Sequence, residues 1–253
     1  MRPTIFNTLG LMPLSFPGFP KAGIAFLRKL KKNNNRDWFQ ANKEIFDEEV
    51  KAPMTVLVEA YNSHLEKLAP LNVNLPAKAI YRIYRDTRFG KDKTPYKTHL
   101  GAIFPRQGMA KHASAGFYFS VGADEIEIAG GLYMPEPDQL VAVRSHIAEN
   151  HKEFRRIVEN KNLVQLMGNI KGEQLSRPPK GFGADHPAVE LLRHKQWIFY
   201  STQTIALHTA TSPDLLTELL ARTKALVPFV DFLNQPLLPI HNRKETMREL
   251  MRF

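Results

Sequence analysis

Residues Ala115 to Tyr133 read AGFYFSVGADEIEIAGGLY. Two runs of β-forming residues, Ala115 to Val121 and Glu125 to Tyr133, flank Gly122, Ala123 and Asp124, which predicts a β-hairpin around those three. Outward from it, Thr98 to Phe104 and Ala79 to Arg85 are also expected as strands. In the second of these, Ile80, Arg82 and Tyr84 would share one face and Tyr81, Ile83 and Arg85 the other. Trp197 to Thr202 is a later strand.

Helical periodicity lies on both sides of this block. After Pro20, residues Ile24, Leu27 and Leu30 fall at helical spacing. Asn33, Asn34 and Asn35 are expected to end that helix, because asparagine tolerates a left-handed cap. A longer helix carries Trp38, Ile45, Phe46, Val50, Leu57, Tyr61, Leu65 and Leu68, with Pro53 expected to kink or divide it. Asp138 to Glu159 and Pro213 to Leu233 read as helices. Helices, then hairpin-linked strands, then helices again predict an α+β fold, its mainly antiparallel sheet covered by helices from the N- and C-terminal thirds. Residues 16–237 are expected as a single domain, 1–15 as an N-terminal extension and 238–253 as a loosely attached basic tail.

Composition narrows the functional classes. At 253 residues, 43% hydrophobic and 24% charged, the chain can bury one large core. No run approaches the roughly 18 uninterrupted apolar residues of a membrane span. No secretory signal and no membrane partner are expected. The absence of cysteine excludes disulfides, thiolate metal sites and cysteine nucleophiles, and makes a reducing cytoplasm the default location. The formal net charge is +10. Lys21 to Arg36 holds six cations and no acid, and Lys78 to His99 holds seven cations against Asp86 and Asp92. Those two segments carry the whole excess, a field that attracts phosphates, carboxylates or nucleic acid.

The densest segment is RIYRDTRFGKDKTPYKTH, Arg82 to His99. Guanidinium forks at Arg82, Arg85 and Arg88 suit planar oxyanions, with Lys93 and Lys97 adding point charge. Gly90 and Pro95 supply the turn needed to gather three arginines from opposite strand faces. Asp86 and Asp92 are candidates to orient the arginines or serve as a base, and Tyr96 is a candidate hydrogen-bonding partner. The competing reading is a structural network of Arg–Asp pairs latching a loop to the sheet. Seven cations against two carboxylates tilt the balance to a small anionic ligand.

Arg82, Arg85-Asp86, Arg88-Phe89, Asp92-Lys93 and Tyr96 resemble the signature of a conserved hypothetical family, domain of unknown function 2461. NNRDWF at Asn34 to Phe39, GGLY at Gly130 to Tyr133 and RPPKGF at Arg177 to Phe182 agree. The resemblance covers Phe16 to Leu237 and implies one domain of about this length, with no activity, cofactor or substrate attached.

Other features weigh less. The loop RPPKGFGADHP, Arg177 to Pro187, could bring Lys180, Asp185 and His186 to the cationic segment, but a single lysine in a stiff loop reads more readily as a surface connection. Gly130-Gly131 permits close backbone approach to a ligand but reads more readily as a bulge in a strand. Nine histidines include no metal-ligand spacing, so no metal site is expected. No cofactor motif is present: G-x-x-x-x-G-K-[ST] and G-x-S-x-G are absent, and Gly181-Phe182-Gly183 alone is no dinucleotide fingerprint. Tyr81, Tyr84, Phe89 and Tyr96, interleaved with arginines, keep nucleic acid as an alternative partner. A scaffold with a purely structural motif is a third reading.

Overall fold

The structure, a computed structural model, describes residues 14–88, 90–201 and 205–250. It is an α+β fold. Helix α1 (Lys21–Lys32) buries Ile24, Phe26, Leu27 and Leu30 and keeps its lysines outward. Asn33 ends it without entering left-handed space, at φ −126°, because its amide group and side chain both bond Lys29 O. The long helix expected next is divided. Helices α2 (Arg36–Ala41) and α3 (Lys43–Phe46) lead into a π-helical turn (Asp47–Lys51), and α4 (Ala52–Leu68) follows. Pro53 stands in the first turn of α4, where its missing N–H is tolerated, and the widened turn just before it takes up the expected irregularity.

The sheet is a four-stranded antiparallel meander: β1 (His99–Pro105), β2 (Gly116–Gly122), β3 (Ile126–Leu132) and β4 (Trp197–Ser201). The strand expected at 79–85 is not regular. Helix α5 (Pro76–Ala79) takes its first residue, and the rest is an extended arm antiparallel to the chain before β1. Isolated bridges join Ile80 to Ala102 and Tyr84 to Tyr96. Between those bridges the β1 side carries more residues than the arm, so the pairing bulges and cannot form a continuous ladder.

Between β3 and β4 lie α6 (Pro137–Glu149), α7 (His151–Val158), α8 (Lys161–Met167) and α9 (Val189–Leu192). The single helix expected at 138–159 is broken at Asn150, whose side chain takes the His146 carbonyl. Helix α10 (Asp214–Asn234) follows β4, and α11 (Leu237–Leu250) closes the chain. The segment expected as a loose tail is therefore helical through Leu250, with Lys244 paired to Glu136 and Asp138 at the start of α6.

One sheet face meets the helices. Phe104, Phe119, Ile128 and Phe199 are buried there, and α10 crosses β3 and β2. The buried Tyr61 hydroxyl of α4 meets Thr223 Oγ1 of α10 at 2.6 Å. Gly130 allows the crossing, since a Cβ there would stand 2.9 Å from the Leu226 side chain. Gly131 has φ +127°, and its Cβ would lie 2.2 Å from Trp197 O. The pairing through both glycines is regular, so the expected bulge is absent: Gly130 admits α10, and Gly131 holds a left-handed φ close against β4. Among the described residues the opposite sheet face carries no helix and presents His99, Ile103, Tyr118, Ser120, Glu127, Ala129, Ile198 and Tyr200. Among the described residues no helix is long and apolar enough to cross a membrane.

Candidate functional site

The uncovered sheet face is the floor of a basin of about 510 Å³. Its centre is Glu127 on β3, directly opposite Ser120 on β2 and diagonal to Tyr200 on β4. The Tyr200 hydroxyl donates to Glu127 Oε1 at 2.6 Å and the Ser120 hydroxyl to Oε2 at 2.8 Å. The Tyr118 hydroxyl stands 3.5 Å from Oε2, at the outer limit of a hydrogen bond. Burial, reinforced by Glu127, pushes the Tyr200 phenol above its ordinary value. Burial likewise pushes Tyr118 up to about 12. His99 also lines the basin; burial holds its imidazole below the usual value while Glu127 pulls the other way. Tyr133, Ile103, Pro105 and Ile198 add apolar wall. The floor can accept a ligand donor at the carboxylate, and the imidazole beside it is a neutral acid–base group near physiological pH.

The rim is cationic. Lys97 Nζ and Lys111 Nζ lie 5.1 and 4.6 Å from the centre of the Tyr81 ring, cation–π contacts with a residue that itself lines the basin. Burial depresses the Lys97 pKa, and Arg82 and Lys111 depress it further. Arg82, Lys97 and Lys111 make no ion pair among the described residues. Arg82 reaches Asp86 only as a weak, longer-range influence.

The other members of the cationic segment go elsewhere. Arg85 is half-buried, and its Nη1 is held by Asp92 and by Thr94 Oγ1. It lines a separate crevice of about 320 Å³ with Arg36, Gln40, Tyr84, Thr87, Pro95 and Tyr96. Arg88 is exposed and bonds both oxygens of Asp86, at 3.0 and 2.7 Å. Those contacts bring the Asp86 and Asp92 carboxyls down to about 2, with the arginine hydrogen bond the largest cause in each. Lys93 donates to Thr87 O at 2.9 Å, bracing the loop. Tyr96 is buried, its ring stacked on Phe39 at 4.0 Å. The arm thus divides the expected cluster: Lys97 lies against Tyr81 of the basin wall with Arg82 near it, Arg85 and Tyr96 line the crevice, and Arg88 with Lys93 brace the loop.

The remaining expectations find different surroundings. The loop at 177–187 packs on α7, with Arg155 donating to Pro187 O at 3.0 Å and the His151 and His186 rings 5.8 Å apart. Phe89 lies outside the described residues. Among the described residues no three His, Asp or Glu groups converge as metal ligands. Sequence reasoning passed over Glu127, Ser120, Tyr118 and Tyr200. The available signal was that polar side chains occupy every second position of strands whose alternate residues are core.

Fold and site together define an α+β protein whose antiparallel sheet, among the described residues, is helix-covered on one face and hollowed on the other, with Lys111 on the hollow's wall. The family model of the conserved hypothetical protein DUF2461 matches residues 22–232, and the chain belongs to that family. No curated protein and no solved structure matches it.

Proposed function

We propose that the chain binds a small organic anion in the basin, its phosphate or carboxylate at Arg82, Lys97 and Lys111 and its body over the Tyr118–Glu127–Tyr200 floor. The observation that carries this reading is Lys111 on the wall of a hollow, with Lys97 against the same Tyr81 ring, Arg82 near enough to act on Lys97, and none of the three in an ion pair among the described residues. Like charges held together raise the free energy of the empty protein, and an anion relieves it. The volume suits a ligand of roughly drug size, and the aromatic wall suits a flat unsaturated body. Glu127 with its hydroxyl partners selects a ligand that also carries a hydrogen-bond donor. His99 beside that carboxylate is the group through which binding would extend to acid–base catalysis.

A purely structural network requires every guanidinium to be paired, and Arg82, which makes no ion pair among the described residues, weighs against it. Nucleic acid is less well served. Tyr96 is stacked into the core, and Tyr81 carries two lysines on its ring, so neither is an open base-stacking platform.

Titration with benzoate and phenyl phosphate, followed by NMR, tests the proposal. Saturable shifts at Tyr118, Glu127 and Tyr200 are expected, weakened about tenfold or more in an Arg82→Ala, Lys111→Ala double variant. Both side chains are exposed, so the variant should keep its melting temperature within a few degrees. Absence of saturable binding for the whole class, or binding indifferent to the double substitution, overturns the reading.

A further inference from the structure

The crevice between α2 and the arm has a construction of its own. Arg36 opens α2, is exposed, and makes no ion pair among the described residues. Arg85 faces it across the cavity. Both bonds that fix Arg85 use Nη1, which leaves Nε and Nη2 uncommitted among the described residues. Asp92 is itself locked, accepting from the Thr94 backbone at 2.9 Å and the Thr94 hydroxyl at 2.8 Å. The guanidinium is therefore held from behind with its free edge forward, the arrangement that makes an arginine fork selective for planar oxygens.

Tyr96 completes the site. Its residue is 2% exposed, its ring is stacked on Phe39, and its backbone is held at both polar groups by Asn34. Yet the side chain lines the crevice and its hydroxyl makes no hydrogen bond among the described residues. A phenol fixed so firmly, with an uncommitted O–H beside two guanidinium groups, is a preorganised donor. The hydroxyl is near enough to Arg36 and Tyr84 to feel both: Arg36 opposes the upward push that burial and Tyr84 exert on its pKa. Gln40 and Thr87 supply further polar lining. The two arginines outweigh the one carboxylate behind Arg85, so the space between them is cationic.

We propose that this crevice is a second binding site, separate from the basin, for a single oxyanion group, phosphate in the first instance. Arg36 and Arg85 grip it from two sides and the Tyr96 hydroxyl donates to it. At about 320 Å³ the crevice has room for one such group and part of the molecule that carries it. The group can be a free anion or the terminus of a small phosphate ester; the recognition chemistry is the same. The inference does not depend on the basin, since none of its residues lines that cavity.

The test is an NMR titration of the full chain with inorganic phosphate, and separately with phenyl phosphate, to about 50 mM, a range that captures millimolar dissociation constants. Saturable shifts are expected at the Arg36 and Arg85 Nε–Hε groups and at the Tyr96 amide. Arg36→Ala removes an exposed side chain with no ion pair among the described residues and should fold normally while weakening the response about tenfold or more. Tyr96→Phe keeps the ring stack and should weaken binding severalfold. The Arg82→Ala, Lys111→Ala variant should leave these shifts unchanged. Equal affinity for both probes supports the site with a free oxyanion as occupant, and tighter binding of phenyl phosphate supports it with an ester. No saturable response to either probe, a response that survives Arg36→Ala, or one abolished by the basin variant overturns the proposal.

Discussion

Asn34 holds Tyr96 at both ends of its peptide chemistry: Nδ2 donates to Tyr96 O at 2.9 Å, and Tyr96 N donates to Asn34 Oδ1 at 3.0 Å. One side-chain amide thus imitates a strand partner and ties the corner after α1 to the arm that carries the cationic segment. The ring stack of Tyr96 on Phe39 of α2 reinforces the same junction.

Asn34→Ala leaves both Tyr96 backbone groups without their partner in a part-buried place. A loss of about 1–3 kcal/mol in unfolding free energy is expected, read as a lower urea midpoint at unchanged slope. Asn34→Asp keeps the acceptor and loses the donor, so its midpoint should fall between alanine and wild type.

The loop at 86–94 should respond to acid in a defined window. Asp86 and Asp92 have folded-state values of about 2, below the roughly 3.9 of a free aspartate. A depressed carboxyl contributes stability that is fully present above the unfolded value and is lost as pH falls through the folded one. The Arg88–Asp86 and Arg85–Asp92 contacts should therefore persist at pH 5 and release progressively between about 4 and 2. Carboxyl carbon shifts of the two residues across an acid titration check this. Because both groups are exposed, the effect belongs to the loop and should barely move the global melting temperature.

Anion binding at the basin should weaken as pH rises, earlier than an ordinary lysine allows. The folded Lys97 pKa lies below its usual value because burial, Arg82 and Lys111 disfavour its proton. An anion favours that proton, so binding takes protons up wherever Lys97 is partly neutral in the free protein. Phenyl phosphate affinity should fall through the lowered Lys97 pKa, and calorimetry in buffers of different ionisation heat should register uptake. A Lys97→Gln variant should show neither effect.

The parts that were legible in the sequence are those where one residue pattern meets one environment. β2, β3 and β4 alternate because one face is core, and α1 shows its apolar stripe directly. The arm at 80–85 also alternates, but its ladder depends on the length of the partner chain. A bulge opposite is invisible to a local pattern. Asn150 breaks the predicted helix because its side chain competes for a helical carbonyl, which periodicity does not register. Charge density led to Lys97, which lies against the Tyr81 ring of the basin wall, and also to Arg88 and Lys93, which brace the loop. Density locates a field, whereas a cavity is made by what stands around it. Glu127 was hidden for the opposite reason, since a single acid between Ile126 and Ile128 reads as an ordinary solvent-facing strand residue.

A sheet clad on one side only separates two kinds of selection. Phe119, Ile128 and Phe199 answer to the interior, whereas their strand neighbours Tyr118, Ser120, Glu127 and Tyr200 bear almost none of the packing beneath the helices. Substitutions in that second set would reshape the basin while the buried face beneath the helices keeps its folding instructions.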